Sequence, residues 1–495
     1  MNAIKLAVPA VLTLLCACSA GPKYVRPAVE TAPVFKEQGN WKPAEPRDLE
    51  RRGSWWMIFK DPLLDGLQEQ VSISNQNLAK AEAQFRQALG LLDAARAGYS
   101  PTLTGGISTT RSRSSSTTIA QPSAVAVSRG VVTNHNLPFQ AGWEADVWGR
   151  IGRTVEANEA SAQASAGDLE AARLSAQAAL AQNYFQLRTL DAQQQLLEQT
   201  VVAYESSLKL VQNQYAAGIV AKAEVVQAQA QLKSTQAQAI DIGVQRAQLE
   251  HAIALLVGKP ASSFSIARAP LIAQAPVVPA GLPSELLERR PDVAAAERRM
   301  AQANAQIGVA KSAYFPSLTL SSGAGYQSAT MADWLIAPSR FWSFGTAVAQ
   351  TLFDGGLRKA QTAQAIAAYD ANVAAYRQTV LTGFQEVEDS LAALRILERE
   401  AEVQAEAVTL AEQSLALALN QYKAGITSYL NVVAAQTTAL ANQRAAVDLF
   451  GRRVSASVQL IKALGGGWTA SALPSGESLK AGNKTRSAGE VGPGN

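Results

Sequence analysis

"QYAAGIVAKAEVVQAQAQL", residues 214–232, returns as "QYKAGITSYLNVVAAQTTA" at residues 421–439. The chain therefore contains a duplicated unit. We predict that each unit runs helix, proline-marked junction, two strands, glycine-marked exit, long helix, turn and helix. Duplication of this kind usually builds a pseudo-symmetric assembly, although a repeat by itself names no function. Two further matched pairs keep the same order: "ARAGYSPTLT" (95–104) with "AKSAYFPSLT" (310–319), and "DVWGRIGR" (146–153) with "TLFDGGLR" (351–358).

The distribution of proline predicts two long helical tracts. Residues 139–259 and 339–473 contain no proline, and both tracts are rich in Ala, Gln, Leu and Glu, which are all compatible with helix. Residues 153–217 contain one glycine, Gly167. As one helix this segment would reach roughly 100 Å at 1.5 Å per residue, far longer than a globular domain needs.

Heptad spacing in the first tract predicts a coiled coil. The other helix faces carry Ala, Gln and Ser, so neighbouring helices can approach on more than one side. We expect the helices of each pair to reverse at Gly218 and Gly425. A soluble antiparallel hairpin, such as a structural tether, has the same composition and stays open as an alternative. The predicted seam consists of Leu190, Gln194, Leu197, Val201, Tyr204, Leu208, Val211 and Tyr215.

The segments between the paired landmarks alternate in polarity, as strands do. An apolar face with aromatic residues beside a polar face is typical of a membrane barrel strand, and a soluble sandwich is the alternative. The apolar faces are Leu137, Phe139, Ala141, Trp143, Ala145 and Val147; Leu318, Leu320, Ala324 and Tyr326; and Trp342, Phe344, Val348 and Leu352. The opposing polar faces include Gln140, Gly142, Glu144 and Asp146, and Ser317, Thr319, Ser321 and Gln327.

Two strands per unit give four strands per chain, too few to close a barrel, and open edges are not tolerated in lipid. The chain must therefore oligomerise if these strands span a membrane. Three chains would supply twelve strands, whereas two chains would supply only eight, and the interior of an eight-stranded barrel is filled by side chains.

Pro101 and Pro316 each follow a predicted helix and precede a predicted strand. Proline stops a helix and favours an extended backbone, so these residues are predicted to mark the junctions between the helical and β parts. An ordinary loop proline is the alternative.

The first residues resemble an export signal. Residues 1–5 carry one positive charge, and residues 6–15 are apolar but too short to span a bilayer. "LCAC", residues 15–18, fits a bacterial lipoprotein signal in which Cys18 becomes the lipidated N-terminus and Cys16 leaves with the signal. The alternative is an ordinary secretory signal, which would leave an unpaired thiol in an oxidising compartment.

Composition disfavours other classes of function. The charge of +4 with 17% charged residues, and with its Arg pairs scattered, does not form a nucleic-acid footprint. The two histidines, His135 and His251, lie far from any partner motif, so we predict no catalytic residue, no metal site and no cofactor apart from the lipid on Cys18. No apolar run beyond the signal is long enough for a transmembrane helix, so any spanning structure must be built from strands.

Several motifs together resemble the TolC family of outer-membrane efflux channels, in its NodT-like lipoprotein branch. They are "CSAGPKYVRP" (18–27), "ERRPDVAAAERRMAQANAQIGVAKSAYFPSLTL" (288–320), "LFDGG" (352–356) and the paired "QYxAGI" turns. The resemblance implies a mainly α fold with a transmembrane β-barrel: a homotrimer whose twelve-stranded barrel in the outer membrane continues into a coiled-coil α-barrel across the periplasm.

The resemblance also implies a function. The family forms the exit duct of tripartite pumps, docking a periplasmic adaptor that couples it to an inner-membrane transporter of the RND type. We expect export of small toxic molecules such as antibiotics, contact with outer-membrane lipid, and neither enzymatic activity nor nucleic-acid binding. A channel for type I protein secretion and a lipid-anchored periplasmic tether are the alternatives.

The predicted organisation has six segments, with the equatorial belt formed by the ends and the linker. They are the signal peptide (1–17), an N-terminal equatorial segment (18–66), the first repeat (67–257), an equatorial linker (258–290), the second repeat (291–464), and a C-terminal equatorial segment with its tail (465–495).

The resemblance places a gate at the periplasmic turns. Tyr422 matches the family tyrosine, Glu224 matches its acidic partner on the first hairpin, and Leu430 matches a hydrophobic constriction. Asn431 and Ala434 stand where family members often place aspartates, which puts an acidic ring at the mouth in doubt. The alternative for Tyr422 is simple packing between helices.

Overall fold

The structure is a computed structural model that describes residues 20–29, 34–38, 54–113, 131–269, 271 and 286–479. The predicted signal peptide and Cys18 lie outside the described residues, as do residues 480–495 of the predicted C-terminal segment.

The chain is predominantly helical, and its two halves contain helices of equal length. In each half a 22-residue helix precedes the strands, a 67-residue helix follows them, and a 35-residue helix returns alongside. The predicted duplication is confirmed, and each 67-residue helix is about 100 Å long. The helices are α1 (Pro62–Ser74), α2 (Gln76–Ala97), α3 (Arg150–Ala216), α4 (Lys222–Leu256), α5 (Leu286–Arg289), α6 (Pro291–Ser312), α7 (Leu357–Lys423) and α8 (Tyr429–Ala463).

Local sequence sets where the shorter helices begin. The Asp61 carboxylate accepts hydrogen bonds from two backbone N–H groups in the first turn of α1, and Asn75 does the same for α2. Pro291 occupies the first turn of α6, where a missing N–H costs nothing.

The two turns between paired helices have the same geometry. Gly218 and Gly425 have φ angles of +73° and +74°, which favour glycine over residues with a Cβ. In both turns the isoleucine after the glycine donates a hydrogen bond of 2.9 Å to the carbonyl of a glutamine in the last helical turn. This is the Schellman arrangement, which satisfies a carbonyl left unpaired at the helix end.

The largest apolar core lies where α1, α3, α7 and α8 meet. A short 3₁₀ helix, Trp55–Phe59, inserts its two tryptophans and its phenylalanine into this core. The ring of Phe59 lies 4.6 Å from that of Phe185 on α3, measured between centroids. The N-terminal residues before α1 therefore pack against both long helices.

Half of the predicted seam residues of the first hairpin are buried, and all but one of the others are half-buried. Leu197, Tyr204 and Val211 on α3 are fully or almost fully buried. Tyr215 departs from the prediction, because 46% of its surface is exposed at the end of α3.

The strands of the described residues form one antiparallel sheet. Its order is β1, β3, β4, β5, with β2 also paired to β3. The central pairing of β3 with β4 joins the two halves of the chain. The strands are β1 (Thr102–Gly105), β2 (Ser108–Ser112), β3 (Val132–Ala145), β4 (Ser317–Ser328) and β5 (Arg340–Ala349).

The sheet has four strand positions, as predicted, but the first position is divided between β1 and β2. The interruption lies opposite Pro138, which accepts a hydrogen bond from the N–H of Gly106 at 3.1 Å. Proline has no N–H to return, so the ladder breaks there.

Two predicted strand residues, Val147 and Leu352, lie beyond the strand ends. The cause is an aspartate in each case. Asp146 and Asp354 accept hydrogen bonds from backbone N–H groups in or beside the first turn of α3 and α7, which draws the chain out of the strand conformation.

The register aligns the apolar faces of β3, β4 and β5. Trp143 lies opposite Leu320, and Leu318 lies opposite Val348. Trp342 belongs to the same face and is 82% exposed. One side of the sheet is therefore mainly apolar, with aromatic residues and with Ser322 and Thr346 between them, and the described part of the chain does not cover it.

We predict that Gly325→Ala destabilises the sheet. A Cβ at position 325 would lie 2.1 Å from the carbonyl oxygen of Leu137 on β3, and two backbones must then separate. Overpacking of this kind costs about 1–3 kcal/mol. The measurement is the temperature at which the folded protein in detergent is lost.

Gly345→Ala is the matched control, because a Cβ there meets only the Ser321 side-chain oxygen, at 3.4 Å. Equal denaturation temperatures for the two variants would contradict the prediction.

Candidate gate and membrane junction

The tips of the two helical hairpins pack against each other through a small apolar cluster. Tyr422 on α7 and Tyr429 on α8 have ring centroids 5.3 Å apart in an edge-to-face arrangement. Val211 of α3, Ala228 of α4 and Val432 of α8 complete the buried cluster. The cluster thus joins the first hairpin to the second.

A hydrogen bond crosses between the hairpins at this cluster. The Tyr422 hydroxyl donates to Oε2 of Glu224 on α4 over 3.1 Å. Burial, and then the neighbouring Glu224 carboxylate, raise the pKa of Tyr422 well above its ordinary value. The hydroxyl therefore keeps its proton at neutral pH and remains a donor. We call this pair the tip latch.

Tyr422 is also packed between helices, because only 3% of its surface is exposed. The ring fills the cluster while the hydroxyl makes the polar bond, so packing and hydrogen bonding coexist in one side chain. The two residues that sequence reasoning paired are in contact.

The other predicted gate residues lie on the exposed surface of α8, outside the buried cluster. Leu430 is 58% exposed, although the preceding Tyr429 is buried. The Asn431 amide donates to the hydroxyl of Thr427 in the preceding turn. Ala434 is also exposed. These three positions are therefore accessible to other molecules.

Sequence analysis did not identify the polar contacts that extend the hairpin interface away from the tip. Gln436 donates to the Ser207 hydroxyl over 3.3 Å, and Arg444 donates to Oε1 of Gln238 over 2.8 Å. Gln436 follows Tyr429 by one heptad, and this spacing could have indicated a shared helix face.

Each predicted junction proline lies between a helix and a strand. Pro101 falls between the end of α2 and the start of β1, and Pro316 falls between α6 and β4. Trp148 connects the two halves here: its Nε1 donates to the Pro316 carbonyl over 2.7 Å, and its ring stacks on Phe315 at 4.8 Å between centroids. The two repeats are thus in direct contact at this junction.

The N-terminal segment is fixed to the same junction. The N–H of Ala20 donates to the Trp148 carbonyl, and Nε of Arg153 donates to the Ala20 carbonyl, both over 3.1 Å. At Gly21, an added Cβ would lie 2.4 Å from the Cα of Gly308 on α6, so the chain lies directly against that helix. Residue 20 is therefore held at the level where helices meet the sheet.

The two histidines have separate surroundings. Nδ1 of His135 lies 2.9 Å from the Thr109 hydroxyl on the neighbouring strand, and its ring lies 5.8 Å from that of Trp334. His251 is exposed on α4. Within the described ranges, no group of three or more His, Cys, Asp or Glu side chains is placed to hold a metal ion.

None of the helices in the described part of the chain combines the length and the apolar character needed to cross a membrane.

A sheet with an uncovered, mainly apolar face, joined to long helical hairpins by the glycine-containing segments 146–149 and 350–356, is the architecture of an outer-membrane channel subunit. A family model described as outer membrane efflux protein matches residues 67–259 and 282–466. The chain belongs to the outer membrane efflux protein family.

Individual relatives agree with this assignment. The chain is 32% identical to outer membrane protein OprJ of Pseudomonas aeruginosa, over 92% of this chain and 94% of OprJ. It is 32% identical to the toluene efflux pump outer membrane protein TtgI of Pseudomonas putida, over 93% and 97%. The solved outer-membrane channel OprN superposes with a TM-score of 0.84 at 27% identity, covering 91% of this chain and 100% of OprN.

We predict that Tyr422→Phe combined with Glu224→Gln opens the tip. The double variant loses the hydroxyl donor and the carboxylate acceptor, at about 1 kcal/mol per net hydrogen bond, while the ring packing remains. Single-channel conductance should rise, and large antibiotics such as vancomycin should enter cells, with the stability of the assembly nearly unchanged.

Glu412→Gln is the control, because it removes one carboxylate from α7 away from the tip, where Glu412 accepts a bond from Gln443 on α8. An assembled double variant with the conductance of the unmodified protein would refute the latch.

Proposed function

We propose that this chain is the outer-membrane exit duct of a tripartite efflux pump. The observation that carries the proposal is the continuity between the apolar-faced sheet and helices about 100 Å long. Such helices reach far from a membrane that holds the sheet, so a periplasmic adaptor and an RND-type inner-membrane transporter can feed the duct from its distal end. The relatives named for efflux pumps support this assignment.

The proposed cargo is small toxic molecules such as antibiotics and solvents. The relative TtgI is named for a toluene efflux pump. A duct adds no chemistry of its own, so the proposed role needs neither a catalytic group nor a cofactor. Selection among cargo molecules then belongs to the transporter.

The proposed assembly is a homotrimer. The sheet of one chain ends in unpaired edges, at β1 and β2 on one side and at β5 on the other. Backbone groups in lipid must be paired, so neighbouring chains have to complete the ladder. Three chains give a twelve-stranded barrel, which is wide enough to leave a passage.

The proposed gate combines the tip latch with a ring of leucines. Three copies of Leu430 around the axis would close the tip by excluding water, while Tyr422 and Glu224 hold each second hairpin against the first. Asn431 and Ala434 replace the aspartates of an acidic ring, so this mouth carries fewer negative charges than one in which both positions are acidic.

Lipid on Cys18 is part of the same proposal. Cys18 lies two residues before Ala20, which is bonded at the helix–sheet junction. Two residues span at most about 7 Å, so an acyl chain on Cys18 would start close to the membrane surface. Attachment there needs no long tether.

Reconstitution tests the function directly. Purified protein should run as a heat-sensitive trimer in detergent and form channels in planar bilayers. Expression in a host that lacks its own outer-membrane efflux channel, together with a matching adaptor and transporter, should restore antibiotic resistance. Trimers that never conduct would favour the tether, and monomers would refute the duct.

We predict that Cys18→Ser abolishes palmitate labelling and slows or prevents removal of the signal. Two or more acyl chains give firm anchoring, so the loss of the lipid should lower the yield of assembled channel. The strands of the proposed barrel can still insert without the lipid, so assembly should not be eliminated. Metabolic labelling and the size of the processed chain are the measurements.

Ser19→Ala is a suitable control, since it changes the neighbouring hydroxyl and leaves the thiol. Palmitate that persists in the Cys18→Ser protein would show that another residue carries the lipid.

A further inference from the structure

The strands of the described sheet carry two arginines, and both lie on one face at the end distant from the long helices. Arg111 on β2 pairs with Thr133 of β3, and Arg340 on β5 pairs with Tyr326 of β4. Residues that pair directly across a ladder project from the same face of the sheet. Leu137 pairs with Tyr326 and is four residues from Thr133, so both arginines lie on the mainly apolar face.

The position of the arginines along the strands corresponds to the headgroup level of a membrane. A tilted strand needs about 9–11 residues to cross the hydrocarbon core. The apolar face of β3 occupies residues 137–145, a stretch of this length that ends beside α3. Arg340 is level with the distal end of this stretch, and Arg111 lies farther out. A lipid-facing arginine is costly at the bilayer midplane and much less costly near the interface, so the register places both arginines where lipid tolerates them.

No carboxylate among the described residues neutralises these cations. Arg340 extends over the ring of Tyr326, with its guanidinium carbon 5.9 Å from the ring centroid. Arg111 and Arg113, which follows the end of β2, are exposed and have no ion-pair partner within the described part of the chain. We call Arg111, Arg113 and Arg340 the rim arginines. Their charges are therefore open to an anion from outside the chain.

The sequence on both sides of the rim arginines is almost free of acidic residues. Residues 94–143 contain no Asp or Glu. Residues 317–349 contain one, Asp333, whose Oδ2 accepts a hydrogen bond from the Thr330 hydroxyl over 2.7 Å. The distal end of the sheet therefore has a net positive charge.

The loop between β4 and β5 adds apolar side chains beside these cations. The ring of Trp334 lies 5.8 Å from that of His135, and its Nε1 donates to the Tyr326 carbonyl over 3.4 Å. The next two residues, Leu335 and Ile336, are 62% and 42% exposed. Cations next to exposed apolar side chains fit a phosphorylated lipid, whereas a soluble anion would gain nothing from the apolar residues.

The rim arginines lie on opposite edges of the sheet of one chain, because β2 and β5 are its two edge strands. In the proposed trimer the edges of neighbouring copies meet. Each seam then brings Arg111 and Arg113 of one copy to the same rim as Arg340 of the next. Like charges that face each other across strands are destabilising, so an anion between them would stabilise the closed rim.

We propose that the rim arginines bind the phosphate groups of the glycolipid in the outer leaflet. The long helices extend into the periplasm, so the distal end of the sheet lies at the outer leaflet, where lipid A carries phosphates directly above its acyl chains. A guanidinium group donates two parallel N–H bonds to a phosphate, and the pairing is charge-assisted. The inference rests on the proposed trimeric barrel and assigns it a lipid site at each seam.

Native mass spectrometry of the assembled full-length trimer tests the proposal, with lipid A as the probe. The unmodified trimer in detergent should bind lipid A that carries both phosphates about tenfold more tightly than lipid A from which the phosphates have been removed, because charge-assisted hydrogen bonds are lost with the phosphates. Replacing the rim arginines together, as Arg111→Gln, Arg113→Gln and Arg340→Gln, should weaken the binding of the phosphorylated form by a similar factor.

The matched control removes three arginines from the helical part of the chain, as Arg173→Gln, Arg268→Gln and Arg299→Gln. The side chains of these residues are 41–55% exposed and pair with carboxylates. The control protein should bind phosphorylated lipid A as tightly as the unmodified trimer. Equal weakening in the control and the rim variant would overturn the assignment to the rim arginines.

Two outcomes with the unmodified trimer would overturn the inference without any substitution. Equal binding of the phosphorylated and phosphate-free lipids would show that the apolar contact alone holds the lipid. Displacement of lipid A by inorganic phosphate at the same concentration would assign the rim to a soluble anion.

Conductance and trimer formation, measured on the same preparation, separate this inference from the proposed function. A conducting trimer that does not distinguish the two lipids would overturn the inference alone. A chain that neither forms trimers nor conducts would overturn the proposed function, and the inference with it.

Discussion

The pairing of backbone groups at the sheet edges is the constraint on which the rest of this structure depends. Four strand positions leave one unpaired edge on each side of the sheet, and lipid offers no hydrogen bonds to satisfy them. In the proposed assembly the edges are satisfied by other copies. Each strand pair continues into a helical hairpin through a glycine-containing segment, residues 146–149 in the first half and 350–356 in the second, so closing the sheet also places the helical hairpins side by side.

The duplication gives the chain two versions of one helical contact. The version inside the chain joins α3 to α8, where Thr189 and Gly451 are buried and close together. At the equivalent positions on α7 and α4, Ile396 and Val244 are larger, apolar and exposed.

The tip latch suits a contact that must open and close. A hydroxyl–carboxylate hydrogen bond can hold one hairpin against another, yet it contributes only about 1 kcal/mol net. The raised pKa of Tyr422 keeps the hydroxyl protonated at neutral pH, so Tyr422 remains a hydrogen-bond donor. The ring of Tyr429 packs against the ring of Tyr422, and this apolar contact does not depend on the hydrogen bond to Glu224.

The sequence by itself determined the features that single residues or short periods encode. Proline-free tracts, the glycines at the turns and the prolines beside the strands act through local φ and ψ preferences. The long helices, the turns and the helix–strand junctions therefore lie where these residues predict them. Alternation of polarity indicated the strands, although Val147 and Leu352 fell outside them because adjacent aspartates bond to the following helices. Tyr422 and Glu224 were paired through the family resemblance, since they are 198 positions apart and no local pattern links them.

Only the tertiary structure decided the contacts between distant segments. The register of β3 on β4 aligns the apolar faces, Pro138 divides the first strand position, and Gln436 meets Ser207 across 229 positions. It also decided which of two equivalent helix faces is buried within the chain and which is exposed. The physical reason is that such contacts depend on the relative placement of whole helices and strands, which results from the packing of many side chains and is not encoded by any one of them.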